Sequence, residues 1–194
     1  MLPLTLGSFH YWLDVEAKKH DEIYALDTTT YSGEPAIQYR GLFINDEAPA
    51  TTGWWSKTHD FELGYKLDTE YYTHVFDLLV RLKANFLWPA MWKSFVNFYG
   101  SGNGTDEAPG DVFFTDDPQN QQLADDYGIT VSTSHHEPMQ RAAGEWNATE
   151  TGEWSWTTNK DNVTEFMREG VERAQGLDTY YTVGAILPRE TDRN

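Results

Sequence analysis

The sequence predicts an α/β fold with a parallel sheet, and two observations support this class. Four short apolar runs typical of strands alternate with three segments of helical character between residues 40 and 183. Strands joined by helical crossovers of this length lie parallel in one sheet. Four such strands form either a small open sheet or half of a (β/α)₈ barrel. In both architectures functional side chains collect just beyond the C-terminal strand ends.

The first predicted elements occupy residues 40–92, after an irregular segment at 1–38. Residues 40–45 form a continuous apolar strand, which Pro49 stops, and Gly53, Trp54 and Trp55 follow in a loop. Asp68 is a candidate N-cap for a helix over about 69–84. Its apolar face consists of Tyr72, Val75, Phe76, Leu79 and Leu82. Residues 85–92 are the second apolar run, broken by Pro89.

The later elements follow a loop at 100–110. A short helix begins at Asp117-Pro118 and ends before Gly128, a residue suited to the C′ position. Residues 129–133 form the third strand, and Pro138 begins a helix that continues through Trp146. After a loop at 147–158, a helix over about 160–175 has an apolar face made of Val163, Phe166, Met167 and Val171. Residues 179–183 form the fourth strand.

Composition excludes several classes of function. The 194 residues carry a formal net charge of −17, with a pI near 4.5, so the chain repels nucleic acid. No apolar run is long enough to span a membrane, and there is no cysteine for disulfides, thiol catalysis or Cys-ligated zinc. Sequons at Asn103, Asn147 and Asn162 favour a secreted protein, and eight tryptophans favour a sugar-binding cleft.

Polar clusters follow the first and third predicted strands. Asp46 and Glu47 follow the first strand, where they could take part in acid/base catalysis or bind a sugar hydroxyl. The alternative is that Asp46 caps a turn. His135, His136 and Glu137 follow the third strand, where one imidazole and the carboxyl could bind a sugar or a carboxylated substrate. The alternative is a buried His satisfied by backbone. We predict no metal, because zinc sites need three or four ligands at fixed geometry and no third ligand has such spacing.

Two further aromatic pairs have alternative roles. Trp88 and Trp92 follow the second strand, where they could stack on a sugar ring or pack in the core. Trp54 and Trp55 could form a platform or a lid over the same edge. Ser134 has histidines beside it but no G-x-S-x-G elbow, so a serine hydrolase is not predicted.

Three long segments carry a resemblance to a known family. RGLFINDEAPATTGWW, FDLLVRLKANFLWPAMW and DDPQNQQLADDYGITVSTSHHEPMQRAAGEW resemble glycoside hydrolase family 115, the xylan α-1,2-glucuronidases. The resemblance covers roughly residues 9–184, including FHYWLDV at 9–15 and KKHDEIY at 18–24.

The resemblance implies a fold, an activity and site residues. The fold is the first four βα units of a (β/α)₈ catalytic barrel over 39–184, after the end of a preceding domain at 1–38. The activity is removal of glucuronic acid or its 4-O-methyl form from xylan with inversion, without a cofactor. Asp46, Glu47 and Glu137 are then catalytic candidates, and Trp88, Trp92, His135 and His136 substrate-binding candidates. Full-length members are expected to dimerise and to act extracellularly on glucuronoxylan.

The chain departs from the family pattern after Gly184. A Gly-Met-Arg-Gly-Asp-Gly-Asp type segment is expected there, whereas residues 185–194 form a divergent tail. We therefore expect a fragment, or the result of an incorrect gene model, of a larger enzyme. Such a chain is expected to be inactive alone and poorly soluble or oligomeric through its exposed strand edges. Two alternatives stay open at this stage. One is a xylan-binding remnant without catalysis, and the other is a metal hydrolase centred on the two histidines.

Overall fold

The computed structural model describes residues 19–45, 50–59, 66–92 and 112–183. The chain divides between Gln38 and Tyr39 into two units. The described part of the first unit, residues 19–38, contains no helix or strand. The tail at 185–194 and the loop at 100–110 lie outside the described residues, so their assignments stay predictions.

The second unit contains a parallel sheet of three short strands. They are β1 (Gly41–Phe43), β2 (Phe86–Trp88) and β3 (Thr130–Val131), in the order β1-β2-β3. Leu42 pairs with Leu87, and Leu87 with Val131. Gly41 permits a close approach here, because a Cβ at this position would overlap the carbonyl group of Phe86. The predicted α/β class with a parallel sheet is confirmed.

The two faces of the sheet differ in their surroundings. Strand residues alternate between faces, so the partners Leu42, Leu87 and Val131 share one face, while Phe43, Phe86 and Trp88 share the other. Leu87 and Val131 are buried, and the helices that follow β1 and β2 supply further buried apolar side chains. The aromatic side chains of the second face are only partly covered, since Phe43 is 40% exposed.

The predicted fourth strand lies beside β3 but forms a single parallel bridge, between Val131 and Thr179. Tyr180 N–H donates to the Val131 carbonyl at 2.9 Å, after which the ladder ends. Side chains continue the pairing, because the Gln140 amide donates to the Tyr180 carbonyl at 2.7 Å and the Thr182 hydroxyl to the Thr133 carbonyl at 2.7 Å. The described sheet therefore shows three strands and one bridged segment.

Six helices and two 3₁₀ turns occupy the described connections. The helices are α1 (Thr52–Thr58), α2 (Thr69–Arg81), α3 (Phe113–Asp116), α4 (Asn120–Asp126), α5 (Ala148–Thr151) and α6 (Lys160–Arg173). The 3₁₀ turns span Pro138–Gln140 and Ala143–Glu145. No helix within these ranges has the length and apolar character needed to cross a membrane.

The predictions for α2 and α4 are confirmed in most details. The Asp68 carboxylate accepts from the backbone N–H groups of Glu70 and Tyr71, as an N-cap does. Gly128 has a φ of 68°, the left-handed conformation expected at C′. Leu82 was expected on the apolar face of α2, but the helix ends at Arg81 and Leu82 is 42% exposed.

Two predicted segments are wrong. Residues 52–58 form helix α1 instead of a loop, and Trp55 packs inside the core with its ring 3.7 Å from that of His59. Trp55 is therefore not an exposed platform or lid. The predicted helix from Pro138 to Trp146 does not form, because Met139 and Gln140 have φ angles of 53° and 63°. These left-handed conformations break any helix at its first turn.

Candidate active site

The C-terminal ends of the three strands meet at one edge of the sheet, because the strands are parallel. The chain continues there as Ile44 and Asn45 after β1, Pro89–Trp92 after β2 and Ser132–Glu137 after β3. Hydrogen bonds hold these exits together, from Ile44 N–H to the Trp88 carbonyl at 2.9 Å and from Ser132 N–H to the Leu87 carbonyl at 3.0 Å. Asp46 and Glu47 lie outside the described residues, so their proposed roles stay predictions.

Glu137 is the buried carboxyl group of this edge. Its residue is 1% exposed, and the Ser134 hydroxyl donates to its carboxylate. Burial raises the pKa of Glu137 above its usual range, although the Ser134 hydrogen bond, the charge of His135 and the His136 backbone N–H act in the opposite direction. Glu137 is therefore a carboxyl that keeps its proton at higher pH than an exposed glutamate does.

A tight turn holds Glu137 in place. The Thr133 hydroxyl donates to the Glu137 carbonyl at 2.6 Å, and Glu137 N–H donates to the Ser134 carbonyl at 3.2 Å. Ser134 thus contacts Glu137 through both its carbonyl and its hydroxyl. The role of Ser134 is to orient a carboxyl group, which fits the absence of a serine-hydrolase elbow around it.

The two histidines occupy the exposed side of the same turn. His135 is exposed and His136 half-buried, with their ring centroids 4.1 Å apart. The His136 ring meets the Trp92 ring edge to face at 5.2 Å. Trp92 is 47% exposed, so its indole presents an accessible aromatic surface next to an imidazole. The structure brings the rings of Trp92 and His136 into contact, and Glu137 is the next residue of the same turn. The catalytic and substrate-binding roles of these residues stay predictions.

Trp88 belongs to a second aromatic group, on the partly covered face of the sheet. Its ring packs edge to face against Phe43, with centroids 5.1 Å apart. The Trp88 Nε1 atom is buried and finds no hydrogen-bond partner among the residues that the structure describes. A buried indole N–H without an acceptor is unusual, and it is an available donor for a bound ligand.

The described residues contain no group of three His, Asp or Glu side chains that could hold a metal ion. His135 and His136 are adjacent in sequence, and the Glu137 carboxylate accepts from Ser134. The described functional groups at this edge are a carboxyl with a raised pKa, two imidazoles and an indole.

Some residues that hold the turn after Glu137 are not predictable from the sequence. Gln140 is fully buried and donates to the Tyr180 carbonyl at 2.7 Å, and its own carbonyl accepts from the Arg173 guanidinium. Arg173 also pairs with Glu145 at 3.0 Å. The run Glu137-Pro-Met-Gln-Arg141 was read as a helix start because Pro suits N1, and nothing in its composition signals two left-handed residues.

Comparison with known proteins identifies the family. The sequence model of glycosyl hydrolase family 115 matches residues 32–186, which is more than half of the chain. The chain belongs to glycosyl hydrolase family 115. This confirms the resemblance stated from the sequence motifs.

One solved structure similar to the chain is the family GH115 4-O-methyl-α-glucuronidase BtGH115A, described as specific for decorated arabinogalactans. It aligns with a TM-score of 0.61 and 28% identity over 78% of this chain. The alignment covers 18% of the BtGH115A chain, so this chain spans less than a fifth of its length. No curated protein sequence matches.

Proposed function

We propose that the chain serves the hydrolysis of an α-linked glucuronic acid, or its 4-O-methyl ether, from a plant polysaccharide. The buried carboxyl of Glu137, whose pKa is raised, in the same turn as the His136 ring that contacts the exposed Trp92, carries this proposal. Glucuronoxylan with an α-1,2 linkage is the first candidate substrate. A decorated arabinogalactan is the second, since BtGH115A is specific for such polymers.

Inverting hydrolysis needs two carboxyl groups. One donates a proton to the glycosidic oxygen as the bond from the anomeric carbon breaks, and the other takes a proton from the water that attacks the opposite face. A raised pKa suits the proton donor, which supports Glu137 as the general acid. Asp46 and Glu47 are the candidates for the general base.

The aromatic side chains have separate proposed roles in binding the sugar. Trp92 offers an exposed indole face for stacking on a sugar ring, and His136 lies against it with nitrogen atoms that bond hydroxyl or carboxylate oxygens. Trp88 offers a buried Nε1–H without an acceptor. His135 is exposed beside them, and a protonated imidazole there would attract the negative uronate.

The 194-residue chain alone is expected to bind the sugar without turning it over. The reason is that residues 185–194 differ from the Arg- and Asp-containing segment that the family resemblance leads us to expect after the fourth strand. The alternative function, a xylan-binding remnant, therefore predicts the same behaviour of the isolated chain. An assay of the longest protein that the gene encodes distinguishes a glucuronidase from a xylan-binding remnant. Secretion and dimerisation remain predictions.

The test compares wild type with Glu137→Gln in that longest protein, on glucuronoxylan, on a decorated arabinogalactan and on an aryl α-glucuronide. A general-acid variant should lose about 10²–10⁴-fold on the polysaccharide and much less on the aryl glycoside, whose leaving group needs no proton. Equal losses on both would reject the acid role of Glu137. If the wild-type protein binds the polysaccharide but releases no product, and Trp92→Ala abolishes that binding, the xylan-binding remnant is favoured.

A further inference from the structure

The backbone of the turn that follows Glu137 is strained, and its residue types do not by themselves favour the conformation that they adopt. Met139 and Gln140 are consecutive residues with side chains, and both have positive φ angles, of 53° and 63°. Such residues rarely adopt this conformation, and it persists only where surrounding contacts enforce it. The turn begins two residues after the Glu137 carboxyl, with Pro138 between them. Any relaxation of the turn therefore moves Glu137.

One set of contacts comes from residues 178–182. Met139 N–H donates to the Thr182 carbonyl at 3.0 Å, and the Gln140 side-chain amide donates to the Tyr180 carbonyl at 2.7 Å. The same segment reaches the Glu137 turn, because the Thr182 hydroxyl donates to the Thr133 carbonyl at 2.7 Å. Thr133 in turn donates to the Glu137 carbonyl at 2.6 Å.

A second set of contacts comes from helix α6. The Arg173 guanidinium donates to the Gln140 carbonyl, and Glu145 holds Arg173 by ion pairs of 3.0 and 3.1 Å. Gly170 allows the turn to lie directly on the helix, since a Cβ at this position would overlap the Met139 carbonyl oxygen. The strained turn is thus held between α6 and residues 178–182.

We propose that Gln140 is a positioning residue, which fixes the Glu137 carboxyl by clamping the strained turn onto residues 178–182. The proposal rests on the proposed function only in giving Glu137 a catalytic role. A simple packing role for Gln140 explains less, because its buried Oε1 atom meets no hydrogen-bond partner within the described residues. Burying half of an amide unpaired is unfavourable, so the hydrogen bond that the other half donates to Tyr180 offsets a cost that an apolar side chain would not carry.

The decisive variant is Gln140→Met, which keeps the size of the side chain and removes the donor. The readout is the titration midpoint of Glu137 in the 194-residue chain, followed by ¹³C NMR of carboxyl carbons and assigned with Glu137→Gln. Loosening the turn admits water to the carboxyl, so the midpoint should fall towards its ordinary value by about half a pH unit or more. His135 is the charged side chain that acts on Glu137, so its titration is followed in the same samples.

Gln122→Met is the matched control. Gln122 donates one side-chain hydrogen bond to Asp126 at 2.9 Å on the exposed side of α4, so the same chemical change is made away from the turn. The control should leave the Glu137 midpoint unchanged. A folded Gln140→Met protein with a wild-type midpoint overturns the proposal, and so does an equal shift in Gln122→Met.

Gly170→Ala tests the clamp from the other side, by pushing the Met139 carbonyl away from α6, and should shift the midpoint in the same direction. If both variants fail to fold, hydrogen exchange of the wild type decides. Met139 N–H exchanging as slowly as Val131 N–H supports the clamp, and exchange about 100-fold faster or more contradicts it. Unchanged hydrolysis by Glu137→Gln would reject the proposed function while leaving the midpoint experiment valid.

Discussion

At the scale of single residues, Glu137 shows burial and hydrogen bonding acting on one carboxyl in opposite directions. Removal from water disfavours the charged form, while Ser134 and the His136 backbone N–H donate to it. Burial dominates, and the pKa of Glu137 is raised. The side chain of Glu145 is also largely buried, but its carboxylate forms ion pairs with Arg141 and Arg173 at 3.1 and 3.0 Å.

The raised pKa of Glu137 predicts a specific dependence of stability on pH. The pKa of Glu137 is higher in the folded than in the unfolded state. Its contribution to the free energy of unfolding is therefore fully present below an ordinary glutamate pKa of about 4.3, and it is lost as pH rises through the folded-state pKa. Glu137→Gln removes this titration. The free energy of unfolding of Glu137→Gln relative to wild type should therefore rise across that window, by at most about 1.4 kcal/mol per pH unit.

Urea unfolding at a series of pH values measures this difference. Glu150→Gln is the control, because Glu150 is exposed in the short helix α5 and should show no such trend. A difference between Glu137→Gln and wild type that stays constant from pH 4 to 8, or that falls with pH, contradicts a raised pKa of the buried Glu137 carboxyl.

The sequence allowed part of this site to be predicted. The position after an apolar run placed His136 and Glu137 at a strand end and Trp92 at the neighbouring one, and the rings of His136 and Trp92 are in contact. The clamp behind them was not predictable, because Gln140 meets Tyr180 across 40 residues of sequence. Left-handed conformations at Met139 and Gln140 depend on such contacts and not on local preference.

At the scale of elements, the sequence predicts a helix end correctly where one residue makes the interaction that determines it. Asp68 caps α2, and Gly128 ends α4, because an N-cap carboxylate and a left-handed glycine act within a few residues. Helix α1 was missed because Gly53 and two tryptophans suggest a loop. Tertiary burial of Trp55 against His59 and Tyr71 stabilises that helix instead.

Asp117 joins two helix starts, and its removal should be costly. Its carboxylate accepts from Gln119 N–H at 2.9 Å and from the Thr69 hydroxyl at 3.0 Å, next to the starts of α4 and α2. Partial burial opposes its charge, yet these hydrogen bonds and Lys66 lower its pKa. Asp117→Ala should lower the free energy of unfolding by about 1–2 kcal/mol at pH 7.

The matched control for Asp117 is Asp126→Ala, which removes an exposed carboxylate at the end of α4 and should cost less than about 0.5 kcal/mol. Because the folded-state pKa of Asp117 is depressed, its stabilisation is present above the unfolded pKa and disappears as pH falls through the folded pKa. Equal losses for the two variants at pH 7 in urea unfolding would show that Asp117 does not join the helices.

At the scale of the whole molecule, the sheet has one covered face and one aromatic face. We use the name aromatic face for Tyr39, Phe43, Phe86, Trp88 and Tyr180. Their rings form two groups: Tyr39, Phe86 and Tyr180 lie 5.1–6.2 Å apart, and Phe43 lies 5.1 Å from Trp88. Phe43 and Tyr180 are 40% and 47% exposed in the described structure. Exposed apolar surface of this kind favours association, whereas a net charge of −17 opposes it.

The balance between these two forces predicts association that depends on salt. Like charges repel over about 30 Å at 0.01 M salt but over only about 4–5 Å at 0.5 M, while burial of aromatic surface persists. Light scattering after gel filtration should therefore show a larger mass at 0.5 M salt than at 0.01 M. Phe43→Ser should reduce that increase, and Val80→Ser, an exposed apolar position on α2, should not. A chain that remains monomeric at both salt concentrations, or equal effects of the two variants, would mean that the aromatic face does not drive association.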